Sequence, residues 1–329
     1  MAAALLAWYR ANKREMPWRG HPDPYAVWVS EIMLQQTQVE TVRPYFARFL
    51  AAFPTLAALA AAEDDPLLKA WEGLGYYSRV RNLRKAAQLV MAEHGGSLPR
   101  SAAALEKLPG IGPYTAAAIA SICFGEAAPV VDGNVIRVFA RHNLLPDDFS
   151  ALAPRRALAV WLTPLIVASG ASGDFNQAMM ELGALVCSPH RPQCAICPLR
   201  HSCRAAAEGR QSDFPRPSPK KPLPTRREQV LLLRNTEGAL LLCRHPGTRL
   251  LAGFWELPAL EALPFPLGVR PRALPTPYRQ SFTHFHLIQR VYVAPPLPPI
   301  ALPEGYCWAA DPAALPLTTA ARKVIAAFA

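Results

Sequence analysis

The sequence predicts two domains of different class: an all-α domain over residues 1–207 and a smaller α+β domain over residues 228–329, joined by a basic, proline-rich linker at 208–227. Three observations carry this division. Apolar residues recur with helical spacing almost without interruption up to residue 186. Four of the seven cysteines then crowd into residues 187–203. From Gln229 onward the pattern changes to short β-type runs separated by turn signals. At 329 residues the chain is long enough for each part to bury its own core.

Met16-Pro17-Trp18-Arg19 follows a short N-terminal helix. Residues 24–36 read as the next helix, and Thr37-Gln38-Val39-Glu40 has the capping-box pattern that starts another. Gln35, Gln36 and Thr37 therefore lie at a break where polar side chains can project outward. Glu31 is inside the first of these helices, four residues after Val27 and three before Leu34, so its carboxylate shares a face with apolar neighbours. Burial there raises a carboxyl pKa and makes Glu31 usable as a proton donor near neutral pH; a surface glutamate is the alternative.

Residues 44–53 continue as an amphipathic helix, and Leu67 to Trp71 begins another. Gly73-Leu74-Gly75-Tyr76-Tyr77-Ser78-Arg79 is a glycine-punctuated loop followed by a helix bearing Arg79, Arg81, Arg84 and Lys85. Basic residues beside aromatics suit phosphate contact and wedging into a base stack, although inward-packed tyrosines with a solvated basic face give the same pattern.

The stretch from Leu105 to Asn134 is the centre of the sequence. One helix ends at Leu108-Pro109-Gly110-Ile111-Gly112, and another restarts at Pro113, whose missing N–H would be unpaired in a first turn anyway. Gly110 and Gly112 permit a tight turn whose N–H groups converge on a helix N-terminus, a place that receives phosphate. About twenty residues on, Asp132 follows an apolar run in Val130-Val131-Asp132-Gly133-Asn134. Taken singly, the turn is an ordinary helix connection and the aspartate an N-cap.

Residues 134–186 read as further helices, ending in Asn176-Gln177-Ala178-Met179-Met180-Glu181-Leu182-Gly183. Cys187, Cys194, Cys197 and Cys203 come next. Four thiolates so closely spaced suit one tetranuclear iron–sulfur cluster, or zinc. Beyond them, Pro215, Pro217, Pro219, Pro222 and Pro224 alternate with Arg216, Lys220, Lys221, Arg226 and Arg227 as a semi-rigid linker able to lie along a phosphate backbone. In the last part, residues 230–234 and 239–243 flank the hairpin signal Asn235-Thr236-Glu237-Gly238, residues 279–293 read as one strand, and Leu317 to Phe328 as a closing helix.

The formal charge is +11 and the pI near 9.6, as expected for a polyanionic partner. Net charge is +4 over residues 1–207 (20 basic, 16 acidic), +4 over 208–227 (6 and 2) and +3 over 228–329 (9 and 6), so the linker is the densest in positive charge. The N-terminus lacks the apolar core of a secretory signal and no run is long enough to span a bilayer, so a cytoplasmic protein without membrane contact is expected. Crowded cysteines in such a protein point to a metal centre rather than disulfides.

These motifs together resemble the helix-hairpin-helix DNA glycosylases, and specifically the branch formed by endonuclease III and MutY. The resemblance covers nearly the whole chain: Ser30–Gln38, Gly73–Tyr77, Leu108–Thr115, Val131–Val135, Asn176–Gly183, the cysteine spacing C-x6-C-x2-C-x5-C, and two C-terminal segments. Those two, residues 250–258 and Phe282-Thr283-His284-Phe285-His286, resemble the MutT (Nudix)-like domain of MutY. A Nudix box is missing, which implies recognition without nucleotide hydrolysis.

The resemblance implies removal of adenine mispaired with 8-oxoguanine or guanine from double-stranded DNA. It implies Glu31 as the acid at adenine N7 and Asp132 as the group that steadies the sugar cation, with Tyr114 and Asn134 hydrogen bonding around the sugar. Trp18, Arg19 and Glu181 match positions lining the flipped-adenine pocket. Gln36 and Tyr76 match residues that wedge into the stack, and Thr283 and His284 match the 8-oxoguanine contact. Gly110 and Gly112 would hold the DNA backbone. Cys187, Cys194, Cys197 and Cys203 would hold a structural 4Fe-4S cluster, with Arg191 and Arg200 near DNA. Threonine stands at 283 where several members have serine, so the hydroxyl is kept and a methyl added.

The nearest competitor is an endonuclease III-type enzyme for oxidised pyrimidines, which carries a Schiff-base lysine just after the hairpin. Tyr114 occupies that position and cannot do that chemistry. A DNA-binding iron–sulfur protein without catalysis is a third reading. One active site per chain makes a monomer sufficient, in a bacterial cytoplasm at the nucleoid.

Overall fold

The computed structural model describes residues 1–21, 23–216, 222–245 and 251–328. Pro217, Pro219, Lys220 and Lys221 of the expected linker, and Leu250 of the 250–258 segment, lie outside the described residues.

The helices are α1 (Ala2–Asn12), α2 (Pro24–Leu34), α3 (Val39–Ala52), α4 (Leu56–Ala60), α5 (Asp64–Trp71), α6 (Ser78–Glu93), α7 (Ala102–Leu105), α8 (Pro113–Phe124), α9 (Gly133–Asn143), α10 (Leu152–Ser169), α11 (Ser172–Leu185), α12 (Arg204–Glu208) and α13 (Thr319–Phe328). No helix among the described residues is long and apolar enough to cross a membrane. The chain forms two compact units. The first comprises Met1–Ala60 with Asn82–Lys220, and the second Ala61–Arg81 with Lys221–Ala329.

In the first unit α2 is buried along nearly its whole length, from Tyr25 to Met33. A helix apolar on all sides belongs in a core, and α2 packs against α3 and α8. Its start is fixed by Asp23, whose side chain accepts from the Tyr25 N–H at 2.9 Å. At the start of α3 Gln38 occupies the N-cap and makes no side-chain cap bond, one residue past the Thr37 expected there. The turn between α7 and α8 is the expected hairpin. Gly110 takes φ +78°, and a Cβ there would lie 2.6 Å from Asn82 Cβ, so the turn requires glycine twice over. Helix α11 packs on α1, α8 and α9. Leu5 and Tyr9, Val135 and Phe139, and Phe175 and Leu182 share one buried cluster with α10 residues.

In the second unit Leu67 to Trp71 is the end of a helix rather than its beginning, because Glu63-Asp64-Asp65 supplies an earlier start. The seven strands among the described residues are β1 (Thr225–Leu232), β2 (Leu240–Arg244), β3 (Trp255–Glu256), β4 (Arg272–Ala273), β5 (Tyr278–Ser281), β6 (His286–Val293) and β7 (Tyr306–Ala309). Strand β6 lies between β1, which is parallel to it, and antiparallel β4 and β5, while β2 lies between β3 and β7. The single strand expected over 279–293 is a hairpin. The Phe282 N–H bonds to the Phe285 carbonyl at 2.8 Å, and the two rings stack with centroids 4.5 Å apart, turning the chain at Thr283-His284. Residues 61–81 join this unit through an Arg244–Asp65 ion pair, Tyr77 packed on Phe254 with centroids 3.9 Å apart, and Gly253, whose added Cβ would meet Leu68 Cδ1 at 2.8 Å.

Candidate active site and cysteine centre

Glu31 is the only charged residue in α2, and it is 5% exposed. Tyr114, in the first turn of α8, donates its phenolic hydrogen to Glu31 Oε2 at 2.8 Å. Burial pushes the Glu31 carboxyl from 4.5 up to about 7; the Tyr114 bond opposes this, the Asp132 charge adds to it and Arg19 opposes it. The same surroundings hold the Tyr114 phenol well above its ordinary value, first through burial and then through Glu31 and Asp132. One acid therefore keeps its proton close to neutrality, beside a phenol that stays a donor.

Asp132 is the N-cap of α9. Its Oδ1 accepts from the Val135 N–H at 2.7 Å, and its Oδ2 from Asn134 Nδ2 at 2.8 Å. The capping role and a chemical role are compatible, since a carboxylate offers about four lone-pair sites. Asn176, 2% exposed, holds the approach to Asp132: its Oδ1 accepts from Val130 N–H at 3.2 Å and its Nδ2 donates to Ala128 O at 2.8 Å.

Glu181 on α11 is clamped by two arginines. The Arg14 backbone N–H and Nε donate to Oε1 at 2.8 and 3.0 Å, Arg14 Nη2 to Oε2 at 3.0 Å, and Arg19 Nη2 to Oε2 at 3.2 Å. Burial alone would raise the Glu181 pKa, but the arginine bonds override it and bring the group down to about 2. Arg19 also bonds Gln177 Oε1 at 3.2 Å. Trp18 is 6% exposed, its ring edge-on to Phe46 at 5.3 Å.

The four clustered cysteines are half-buried free thiols on the turns around α12. All four line one open-sided hollow. No three His, Cys, Asp or Glu side chains among the described residues are placed to hold a single metal ion. Four thiols lining one hollow are a donor set that suits an iron–sulfur cluster, and four-cysteine zinc sites use the same set. Arg141 adds a second sign of fit. It is 3% exposed, donates to the Ser188 and Pro189 carbonyls at 2.7 Å and to Cys187 Sγ at 3.4 Å, and has no carboxylate partner among the described residues. A buried cation of that kind suits anionic sulfur.

The profile of the HhH-GPD superfamily base excision DNA repair proteins matches residues 29–164. The adenine DNA glycosylase of Homo sapiens is 39% identical over 312 residues, covering 78% of this chain and 57% of the relative. That of Schizosaccharomyces pombe is 32% identical over 317 residues, covering 78% of this chain and 68% of the relative. The chain belongs to the MutY-type adenine DNA glycosylase family. It spans less than two thirds of the human relative's length. A solved thermostable thymine-DNA glycosylase matches this family member with a TM-score of 0.57 at 27% identity, covering 63% of this chain and 95% of that one.

The remaining expected residues have distinct settings. Gln36 is exposed at φ +58° and Tyr76 half-buried at φ +49°. They are two of the three non-glycine residues with positive φ among the described residues, a cost that persists where surrounding structure imposes it and that clusters at functional positions. Tyr76 Oη bonds Thr283 Oγ1, and Thr283 and His284 are exposed at the tip of the β5–β6 hairpin. Gly110 and Gly112 are exposed on the α7–α8 turn, and Arg191 and Arg200 are exposed near the cysteines.

Sequence reasoning missed three residues. Arg14 reads as one basic residue among several near the N-terminus, and only its bidentate bond to Glu181 singles it out. Arg137 joins Asn134 Oδ1 and Gly183 O at 2.8 and 2.7 Å to Cys187 O at 2.7 Å. Its i,i+3 spacing from Asn134 was the available signal. Gly183 allows α11 to approach α9 so closely that an added Cβ would lie 2.6 Å from Asn134 Cβ.

Proposed function

We propose that this chain is a monofunctional adenine DNA glycosylase of base-excision repair, hydrolysing the N-glycosidic bond of adenine mispaired with 8-oxoguanine or guanine in double-stranded DNA. The observation that carries the reading is Glu31: a buried carboxyl, raised to about 7, bonded to Tyr114 and within electrostatic reach of Asp132.

Breaking the bond requires a better leaving group and relief for a developing oxocarbenium ion. Glu31 delivers its proton to adenine N7 as the bond to the sugar lengthens. Asp132, oriented by Asn134 and the α9 N-terminus, steadies the cation until water adds. Tyr114 holds Glu31 and, as a phenol, forms no Schiff base, so the strand is left intact. Arg19, Glu181 and Trp18 border the extrahelical adenine. Gln36 and Tyr76 fill the opened stack, whose unstacking costs a few kcal/mol. Thr283 and His284 contact the 8-oxoguanine, and Gly110 and Gly112 hold the backbone. The β-rich part of the second unit acts as a Nudix-like recognition domain without hydrolysis.

Cys187, Cys194, Cys197 and Cys203 would hold a 4Fe-4S cluster, supported by the shared hollow and by Arg141. Bound there, it supplies a structural tie for the loop. The chain acts as a monomer in a bacterial cytoplasm, at the nucleoid.

The deciding assay is base release from defined duplexes, with iron and sulfide determined on the same sample. Adenine should be freed from an A:8-oxoguanine duplex, with strand breaks only after alkali or heat. Comparable cleavage of thymine glycol, trapped by borohydride, would instead indicate endonuclease III chemistry. DNA binding without release of any base would indicate a non-catalytic iron–sulfur protein.

A further inference from the structure

Helix α10 is apolar on two opposite sides. Leu158, Leu162 and Ile166 are buried in the core shared with α1, α9 and α11. On the other side Ala153, Ala157, Val160, Pro164 and Val167 are all exposed, at alternating separations of four and three residues. Val160 is 70% exposed, Val167 62% and the flanking Trp161 52%. Of the ten large apolar residues exposed among the described residues, four (Leu152, Val160, Trp161 and Val167) belong to this helix. Scattered apolar side chains on a surface need no explanation, but a contiguous stripe does. Four-three spacing is a coiled-coil seam, the pattern by which one helix packs along another.

We propose that this face docks one amphipathic helix of a partner protein, apolar along its own seam and acidic along its flanks. The charge pattern selects that occupant. Helix α10 carries Arg155 and Arg156 and no acidic residue. Arg155 Nε bonds the Phe149 carbonyl at 2.6 Å, while exposed Arg156 flanks the seam next to Ala157. Asp147 and Asp148 precede the helix, and Asp148 is engaged by the Ser150 N–H at 2.9 Å, so no carboxylate stands on the seam itself. Flanking charges set partner choice in helix pairing. A second copy would bring a molecule of charge +11 against another of +11, whereas an acidic helix removes that repulsion. Residues 153–167 span about 21 Å at ~1.5 Å per residue, enough for roughly four turns of a partner.

The test uses the full chain and two labelled synthetic peptides of about three heptads, with Leu at the seam and either Glu or Lys on both flanks. Binding is read by fluorescence anisotropy and the chain's own mass by sedimentation. The expected result is a monomer that binds the Glu peptide at least about tenfold tighter than the Lys twin. Val160→Glu should abolish binding while leaving circular dichroism and Tm unchanged, since that side chain is 70% exposed. Arg156→Glu, which alters charge only, should shift preference toward the Lys twin. Equal binding of the twins, no binding of either, or a dimer that Val160→Glu dissociates would each overturn the proposal.

Discussion

Tyr114 donates to Glu31 at 2.8 Å, so the only charged residue of a buried helix is held by a phenol from the helix that follows the glycine turn. Two opposed effects meet in that bond. Burial favours the protonated acid and the hydrogen bond favours the carboxylate, and burial wins.

Glu31→Gln keeps the shape and removes the transferable proton. Base release should fall at least roughly a hundredfold, the scale of acid–base groups, with duplex binding retained. Equal single-turnover rates for the variant and the parent would falsify the acid assignment.

The raised Glu31 pKa has a stability consequence of definite sign. The folded state holds this proton more tightly than the unfolded chain, whose value is about 4.3. The group's contribution is therefore complete below that value and lost as pH rises through about 7. Denaturant titrations should show the parent losing up to a few kcal/mol relative to Glu31→Gln between those pH values. Base release should decline above about pH 7 as the donor ionises. A rate that climbs steadily to pH 9 contradicts this.

Tyr114→Phe removes the bond that lowers the Glu31 pKa and keeps the ring. The alkaline limb of the rate profile should then move to higher pH, even though the sugar loses a supporting hydroxyl. An unmoved limb means that Tyr114 does not act on Glu31 in solution.

Glu181 contributes in the opposite direction. Its folded value near 2 means stability that is present above the unfolded carboxyl pKa and lost as pH falls toward 2. Arg14→Met leaves the buried Glu181 carboxylate with Arg19 and the backbone N–H of residue 14, at a cost of about 1–3 kcal/mol near neutrality. Urea midpoints should show that loss shrinking as acid is added; a loss independent of pH assigns Arg14 to packing instead.

Gly183→Ala places a methyl 2.6 Å from Asn134 Cβ. Overpacking of this kind costs about 1–3 kcal/mol, more than alanine's helix advantage over glycine returns. Because Asn134 orients Asp132, base release should fall as well, with the Glu31 pH limb unmoved. Unchanged Tm and unchanged rate together would show that α9 and α11 separate freely.

Much of this was legible from local pattern. The helical period located α2 and the start of α8 and read residues 134–186 as further helices, glycine and proline marked the α7–α8 turn, and the apolar face shared with Val27 and Leu34 made Glu31 a candidate for burial, with a surface position as the alternative. Turn geometry was less legible. Phe282 and Phe285 have strand propensity, and only the hydrogen bond and ring stacking between them show that the chain reverses there. The α3 capping box matched by letter, but Gln38 rather than Thr37 occupies the N-cap.

By itself the sequence determined which residue types stand at which helical positions, because spacing and backbone freedom act within a few residues of the chain. Tertiary structure alone decided which groups meet. Arg14 reaches Glu181 across 167 positions, Arg137 ties Asn134 to Cys187, and residues 61–81 join the C-terminal strands. Such pairings depend on how buried faces pack and on where an added Cβ would collide, and no local period records either.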